Sequence, residues 1–383
     1  MDKPTVQDIF HRFYPAYLDQ YSPSPVQAKV AHNIMNCKTG AYGANVCVCE
    51  DCGFVQIHYN SCRNRCCPMC QAVPKEMWMD ARREDVLDAP YFHLVFTVPD
   101  ILNPVIYSNQ RLLYDALYHA ASSTISELTA DPKHLGAKVG YICILHTWGS
   151  EMNFHPHIHT ILLGGGLASN NQWKDNGENF FLPIRVISKM FRGKYLEELK
   201  RLWEEDKLVF HGTAEKFRNH YTFKELLDSC YGMDWIPHCK KTFNGAQTVM
   251  KYLGKYTHRI AVSNHRIVRM DDDTVTFLVK DYRNEGQWKE LTISGVEFVR
   301  RFLMHVPPRR FVRIRHYGLL CSRTKSQKLT LCRNLLGCKK YLSKLRDMEM
   351  PEILEHLYGI KVCVCKACGG HLGKPQMRMP LRC

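Results

Sequence analysis

Residues 155–159 read His-Pro-His-Ile-His and lead into the apolar run Thr-Ile-Leu-Leu. Side chains alternate across a strand, so His157 and His159 share one face while Ile158 points to the other. Two imidazoles in that relation can chelate one divalent ion, although His-x-His alone is a common chance pattern. A third ligand is usually needed. His146 on the preceding strand is preferred, with His93, His155 and Gln247 as alternatives. Cys49-x-x-Cys52 and Cys67-x-x-Cys70 form a second pattern, two pairs of thiolates that make the donor set of a structural Zn2+. The spacing predicts that these four share one ion. Cys37, Cys47, Cys62 and Cys66 are left over, and some of them, Cys37, Cys62 and Cys66 first, with His58, are open to a second zinc. Cys363, Cys365 and Cys368 make a third knuckle beside His371, with Cys383 beyond it; a zinc there and a tail of unpaired thiols stand level.

Tyr252 and Tyr256 are four residues apart in a stretch, 245–257, that suits a helix, so they share one helical face. Lys251, Lys255 and Arg259 surround them with positive charge. A phenol, with a pKa of about 10, is a poor nucleophile at neutral pH. Cations and a metal-polarised phosphate can change that. Taken alone, the pair reads first as the core side of an amphipathic helix.

The elements that must hold these residues are mixed. Helical spacing runs over 6–17, 25–34, 77–87, 105–128 and 186–208. Short β-rich runs occur at 91–99, 138–148 and 155–166, the last two joined as a hairpin, and a second hairpin follows Ile260. Hairpins among long helices predict an α+β fold with an antiparallel sheet. The expected division is 1–36 N-terminal helices, 37–88 zinc module, 89–299 catalytic domain and 300–383 basic C-terminal region with a Cys knuckle.

Composition points to a nucleic-acid partner. The 383 residues are 45% hydrophobic, which excludes a disordered tail and a disulfide mini-protein, and 52 Lys and Arg against 37 Asp and Glu predict a polyanionic partner. From Arg300 to Arg346 there are fourteen basic residues and no acidic one. Arg309, Arg310, Arg313 and Arg315, interleaved with Phe302, Phe311 and Tyr317, fit a groove for phosphate contact and base stacking. Phe311, Val312 and Ile314 also read as strand core. The first residues predict no signal peptide, and no apolar run approaches the ~20 residues that cross a bilayer. Clustered cysteines without a secretory signal predict a soluble protein in a reducing compartment.

Together the blocks SCRNRCCPMCQ (61–71), YFHLVFTVP (91–99), LGAKVGYICILHTWG (135–149), HPHIHTILLGGGL (155–167), YLGKYTHRIAVSNHRI (252–267) and EFVRRFLMHVPPRRFVRIRHYGLL (297–320) resemble the rolling-circle insertion-sequence transposases of the IS ninety-one type. These are HUH endonucleases, named for His-hydrophobic-His. The resemblance implies a palm-like antiparallel sheet with the histidine pair on its central strand. It also implies Mg2+ or Mn2+ on His157, His159 and a third ligand. The nucleophile would be Tyr252 or Tyr256, cleaving single-stranded DNA to a 5′-phosphotyrosine and a free 3′-hydroxyl. Lys251, Lys255 and Arg259 would help to hold the DNA. Implied partners are single-stranded DNA and the hairpin ends of the element, with self-association open, in a bacterial cytoplasm near the nucleoid. The family usually shows His where this chain has Cys66. Competing functions are a rolling-circle replication initiator or relaxase, an inactive zinc-dependent DNA-binding regulator, and a metal-dependent hydrolase that forms no covalent link.

Overall fold

The computed structural model describes residues 3–175, 182–235, 249, 254, 260–281 and 286–377, with the backbone alone of 238–243 and 378. Two capped helices open the chain. In α1 (Val6–Gln20) the Thr5 hydroxyl accepts from the Asp8 amide while the Asp8 carboxylate accepts from the Thr5 amide. In α2 (Pro25–Met35) Ser24 and Gln27 make the same exchange, ahead of a proline at the first helical position. A hairpin of β1 (Ala44–Val48) and β2 (Val55–Tyr59) follows, then α3 (Ala72–Arg83).

Next come β3 (Tyr91–Thr97), α4 (Asn103–Ser108), α5 (Gln110–Ala130), β4 (Lys138–Trp148) and β5 (Phe154–Leu167). They lead through β6 (Trp173–Asp175) to α6 (Ile184–Glu204), α7 (His220–Gly232) and β7 (His238–Phe243). A meander of β8 (Ile267–Met270), β9 (Thr274–Asp281) and β10 (Gln287–Ser294) precedes α8 (Gly295–Met304). The chain finishes with β11 (Ile314–Gly318), α9 (Lys325–Leu336), α10 (Met350–Tyr358) and β12 (Gln376–Arg378).

The main sheet has the order β11-β4-β5-β3-β7, with β6 beside β5, and every pairing is antiparallel. The α+β expectation holds. One face packs Leu94, Phe96, Cys143, Leu145, Ile158 and Leu162 against α5 and α6. The other face carries Tyr91, Ile142, Ile144, Ile161 and Leu163, packed with Leu87 and Val249. Both faces are covered, so β4 and β5 are buried almost end to end. The N-terminal helices do not stand apart from the rest: Ile9, Phe10 and Phe13 pack against Phe298, Phe302 and the β8–β10 meander.

Gly318 ends β11 at φ +62°, and a Cβ there would lie 1.8 Å from the Val139 carbonyl oxygen. Gly318→Ala is therefore expected to lower stability by roughly 1–3 kcal/mol. Denaturant midpoints check this, and an unchanged midpoint would contradict it.

Just after α8, His305 is buried. Its Nε2 donates to the Met152 carbonyl at 2.9 Å, which leaves Nδ1 to accept from the Thr147 hydroxyl at 3.1 Å. Burial pushes its pKa down from 6.5 to about 4. The unfolded chain takes up this proton first, so the residue's contribution is complete above its unfolded pKa and is lost as pH falls through the folded value. The loss is about 3 kcal/mol. Urea midpoints should fall between pH 7 and 4, and His305→Gln should flatten that slope. A slope unchanged by the substitution would refute the assignment.

Candidate active site and metal centres

The β4–β5 register puts His146 directly opposite His157 and Ile144 opposite His159. All three histidines leave the same face of the sheet, and their ring nitrogens lie within 4.8 Å of one another. His157 Nδ1 donates to its neighbour's carbonyl, His155 O, at 2.7 Å, so the lone pair of this ring is on Nε2. That Nε2 faces His159 Nε2 at 3.1 Å. Cis ligands ~2.1 Å from an octahedral ion sit ~3 Å apart, so the pair fits a hard divalent cation. Burial lowers the His157 pKa to about 4, which keeps the ring neutral and able to ligate.

His93, one of the alternatives for the third ligand, stands behind the site. Its Nε2 is 2.9 Å from His159 Nδ1, the place of a group that fixes a ligand's tautomer and direction. His155 turns instead to Asp100, 3.0 Å away. Gln247 lies outside the described residues, as do Tyr252, Tyr256, Lys251, Lys255, Arg259 and Cys383.

The cysteines fall into two groups, and neither is the set that the spacing predicts. Cys67 and Cys70 join Cys37 and Cys62, while Cys49 and Cys52 join Cys365 and Cys368. The hairpin sets this pairing. Cys37 and Cys62 flank its base, where Lys38 N bonds Asn60 O at 3.2 Å, whereas Cys49 and Cys52 form its tip. Five residue pairs lie between base and tip, about 17 Å of strand. One ion cannot bridge that span. The alternating VCVCEDCGFVQIHY pattern, with Gly53 at φ +71°, was the signal for a hairpin tip.

Sulfurs 2.3 Å from a tetrahedral zinc lie ~3.8 Å apart. The separations fit: Cys37–Cys70 3.5 Å, Cys62–Cys70 3.6 Å, Cys49–Cys368 3.5 Å and Cys52–Cys365 3.8 Å. Cys67 is fully buried, and its thiol is pushed far up by Cys62 and Cys70 against it and by burial, the frustration that a dication relieves. Cys66 joins neither group. It is buried, burial raises its pKa, and it packs in the apolar cluster with Cys37 and Trp148.

Residues 9–98 match the family model described as "Transposase zinc-binding domain", and residues 140–328 match the one described as "Putative transposase". The chain is 40% identical over 369 residues to "Putative transposase y4qJ" of Sinorhizobium fredii, across 95% of this chain and 93% of that protein. It belongs to the insertion-sequence transposases of the IS ninety-one type. The transposase for insertion sequence element IS801 of Pseudomonas savastanoi pv. phaseolicola is 30% identical over 309 residues, 79% of this chain and 72% of that one. A conjugative relaxase, TrwC, solved in complex with oriT DNA, covers 45% of this chain and 68% of its own at 15% identity and a TM-score of 0.23. That likeness is too slight to inform the reading. The family and the Cys clusters support structural zinc in this transposase. No described helix is long and apolar enough to cross a membrane.

The transposase also has a cleft of about 1780 Å3 between the zinc module, the approach to β11 and the C-terminal tail. Lys38, Arg63, Arg65, Arg310, Arg313 and Lys374 line it. Arg65 holds the floor by donating to Phe311 O at 2.6 Å and Pro308 O at 3.1 Å. The basic run itself is only partly available. Arg300 and Arg301 grip Glu297 at 2.6 and 2.7 Å, Lys325 pairs with Asp85 at 2.9 Å and Arg346 with Glu84 at 2.7 Å. Arg315 pairs with Asp115 and lies 4.0 Å over the Tyr118 ring, so it serves the fold. Phe302 and Phe311 are core residues, and Tyr317 stacks on Tyr141 at 5.2 Å; these rings are not a platform for bases. Arg309 and Arg310 are exposed.

Proposed function

We propose that the protein nicks and rejoins single-stranded DNA at insertion-sequence ends through a 5′-phosphotyrosine, driving rolling-circle transposition. The observation that carries this reading is the convergence of His146, His157 and His159 on one sheet face. Val249, three residues before Tyr252, is buried with Tyr91, Ile144 and Ile161 on that same face. Gly254, two residues after Tyr252, comes so near α3 that a Cβ there would lie 2.4 Å from Met79 Sδ. Met79 packs with the same cluster, so Val249 and Gly254 both lie against it.

His146, His157 and His159 would hold Mg2+ or Mn2+, which when bound supplies charge compensation for the scissile phosphate. A phenolic oxygen of Tyr252 or Tyr256 attacks phosphorus in line and loses its proton. The bond to the 3′ oxygen breaks, and that oxygen takes up a proton. The link to tyrosine keeps the phosphodiester's energy, so rejoining needs no nucleotide triphosphate. Lys251, Lys255 and Arg259 flank the nucleophiles and favour phenolate and phosphate alike. With two tyrosines, one can hold the element's end while the other cuts target or second end.

The test is incubation of the protein with single-stranded DNA carrying an element end and Mg2+. A denaturant-resistant protein–DNA adduct is expected. A regulator or an ordinary hydrolase yields none.

The cleft, lined by Arg310 and Arg313 with the exposed Arg309 next to Arg310 in the chain, takes the DNA strand in this reading. Arg313 O accepts from Leu145 N at 2.9 Å, one residue before His146, so the cleft's wall adjoins the strand that carries the third ligand. Arg309→Ala with Arg310→Ala is expected to weaken single-stranded DNA binding and to reduce the salt slope of log affinity by about 1.4. Fluorescence anisotropy at several salt concentrations measures both. An unchanged slope would remove these residues from the interface.

A further inference from the structure

We infer that Cys49, Cys52, Cys365 and Cys368 hold a zinc ion of their own that clasps the two ends of the chain together and seats the C-terminal tail as one wall of the cleft. Half of this donor set lies outside residues 9–98, the stretch matched by the zinc-binding family model. The four thiols converge from the hairpin tip and from a tail turn more than three hundred residues later.

The tail turn has the form of a metal knuckle. Gly369 N bonds Cys365 O at 3.0 Å, Ala367 N points at Cys365 Sγ and Gly370 N at Cys368 Sγ, each at 3.4 Å. The other cluster has the same amide-to-sulfur contacts, Asn64 N to Cys62 Sγ and Cys62 N to Cys37 Sγ, also at 3.4 Å. Amides directed at sulfur favour thiolate, the ligating form.

Backbone pairing then continues the join. Glu50 N bonds His371 O at 3.1 Å, Gly373 N bonds Val48 O at 2.9 Å, and β12 pairs β1 with Val46 opposite Gln376. Apolar packing at this join is slight. Its buried cluster is Cys47, Cys49, Cys365 and Leu372 and nothing more among the described residues. So small a core cannot offset the entropy of ordering a tail of this length, and a metal cross-link can. The consequence reaches the cleft, because Tyr358, Ile360, Val362, Leu372 and Lys374 line it only while the tail is fastened to the hairpin.

Zinc per chain, counted by plasma mass spectrometry on the full-length protein, tests this without DNA and without catalysis. It therefore stands or falls apart from the proposed nicking activity. Wild-type protein should carry at least two zinc ions. Cys365→Ser with Cys368→Ser should carry one fewer, with unchanged far-UV circular dichroism and severalfold faster proteolysis within the tail. Cys368→His keeps four donors and should restore both the count and the protection. A full zinc count in the double serine variant would overturn the inference. So would a tail equally protected with and without its zinc, or a Cys368→His protein that behaves like the double serine variant.

Discussion

Replacing His157 and His159 together by alanine should abolish DNA nicking, with a loss of at least about a thousandfold. Both Nε2 atoms, 3.1 Å apart, are removed, and His146 alone cannot retain a divalent ion against water. The second effect follows from the hydrogen bond behind the site. His93→Ala leaves every ligand present but frees His159 to rotate, because His93 Nε2 sits 2.9 Å from His159 Nδ1. A loss of roughly 10–100-fold is expected there, partly recovered by raising Mn2+. Nicking by the double alanine variant at wild-type rate would exclude the histidine site from the chemistry. A His93→Ala loss that excess Mn2+ leaves unchanged would exclude a positioning role.

Tyr252→Phe with Tyr256→Phe should abolish the covalent adduct completely, while zinc content and DNA affinity stay near wild type. The change removes two oxygens and nothing else, so a folding defect is not the expected cause of any loss. Single substitutions divide the reading further. If the tyrosines act in turn, each single variant still forms an adduct but fails to complete strand transfer. If one suffices, one single variant is silent. An adduct that persists in the double variant would place the nucleophile elsewhere.

The sheet was legible because its signals are local. The β-rich runs at 91–99, 138–148 and 155–166 became β3, β4 and β5, and the histidine pair landed on one face as period two requires. His146 was reachable by counting back across the hairpin. The zinc ligands were not, because a Cys-x-x-Cys pair states which two thiols act together but not which other pair completes the shell. That depends on where the hairpin's base and tip go, and on a tail more than three hundred residues away. The basic run misled for a related reason. With no acid between Arg300 and Arg346, it looks unpaired in sequence, yet Glu84, Asp85 and Asp115 reach it from other elements and Glu297 from the preceding turn of α8. Charge counts along a chain do not record partners brought by the fold. Phe302 and Phe311 show the same limit, since an aromatic among arginines is core or platform according to the face it takes.

Mapping the covalent bond is the most direct measurement. The adduct formed by wild-type protein with end-containing single-stranded DNA is digested with nuclease and trypsin and analysed by tandem mass spectrometry. Cleavage after Lys251, Lys255 and Arg259 separates the two candidates into the peptides 252–255 and 256–259. The account predicts a nucleotide 5′-phosphate on Tyr252, on Tyr256 or on each in different molecules. Nicked DNA with a free 5′-phosphate and no attached peptide, or a phosphate carried by a residue outside 252–259, would contradict it.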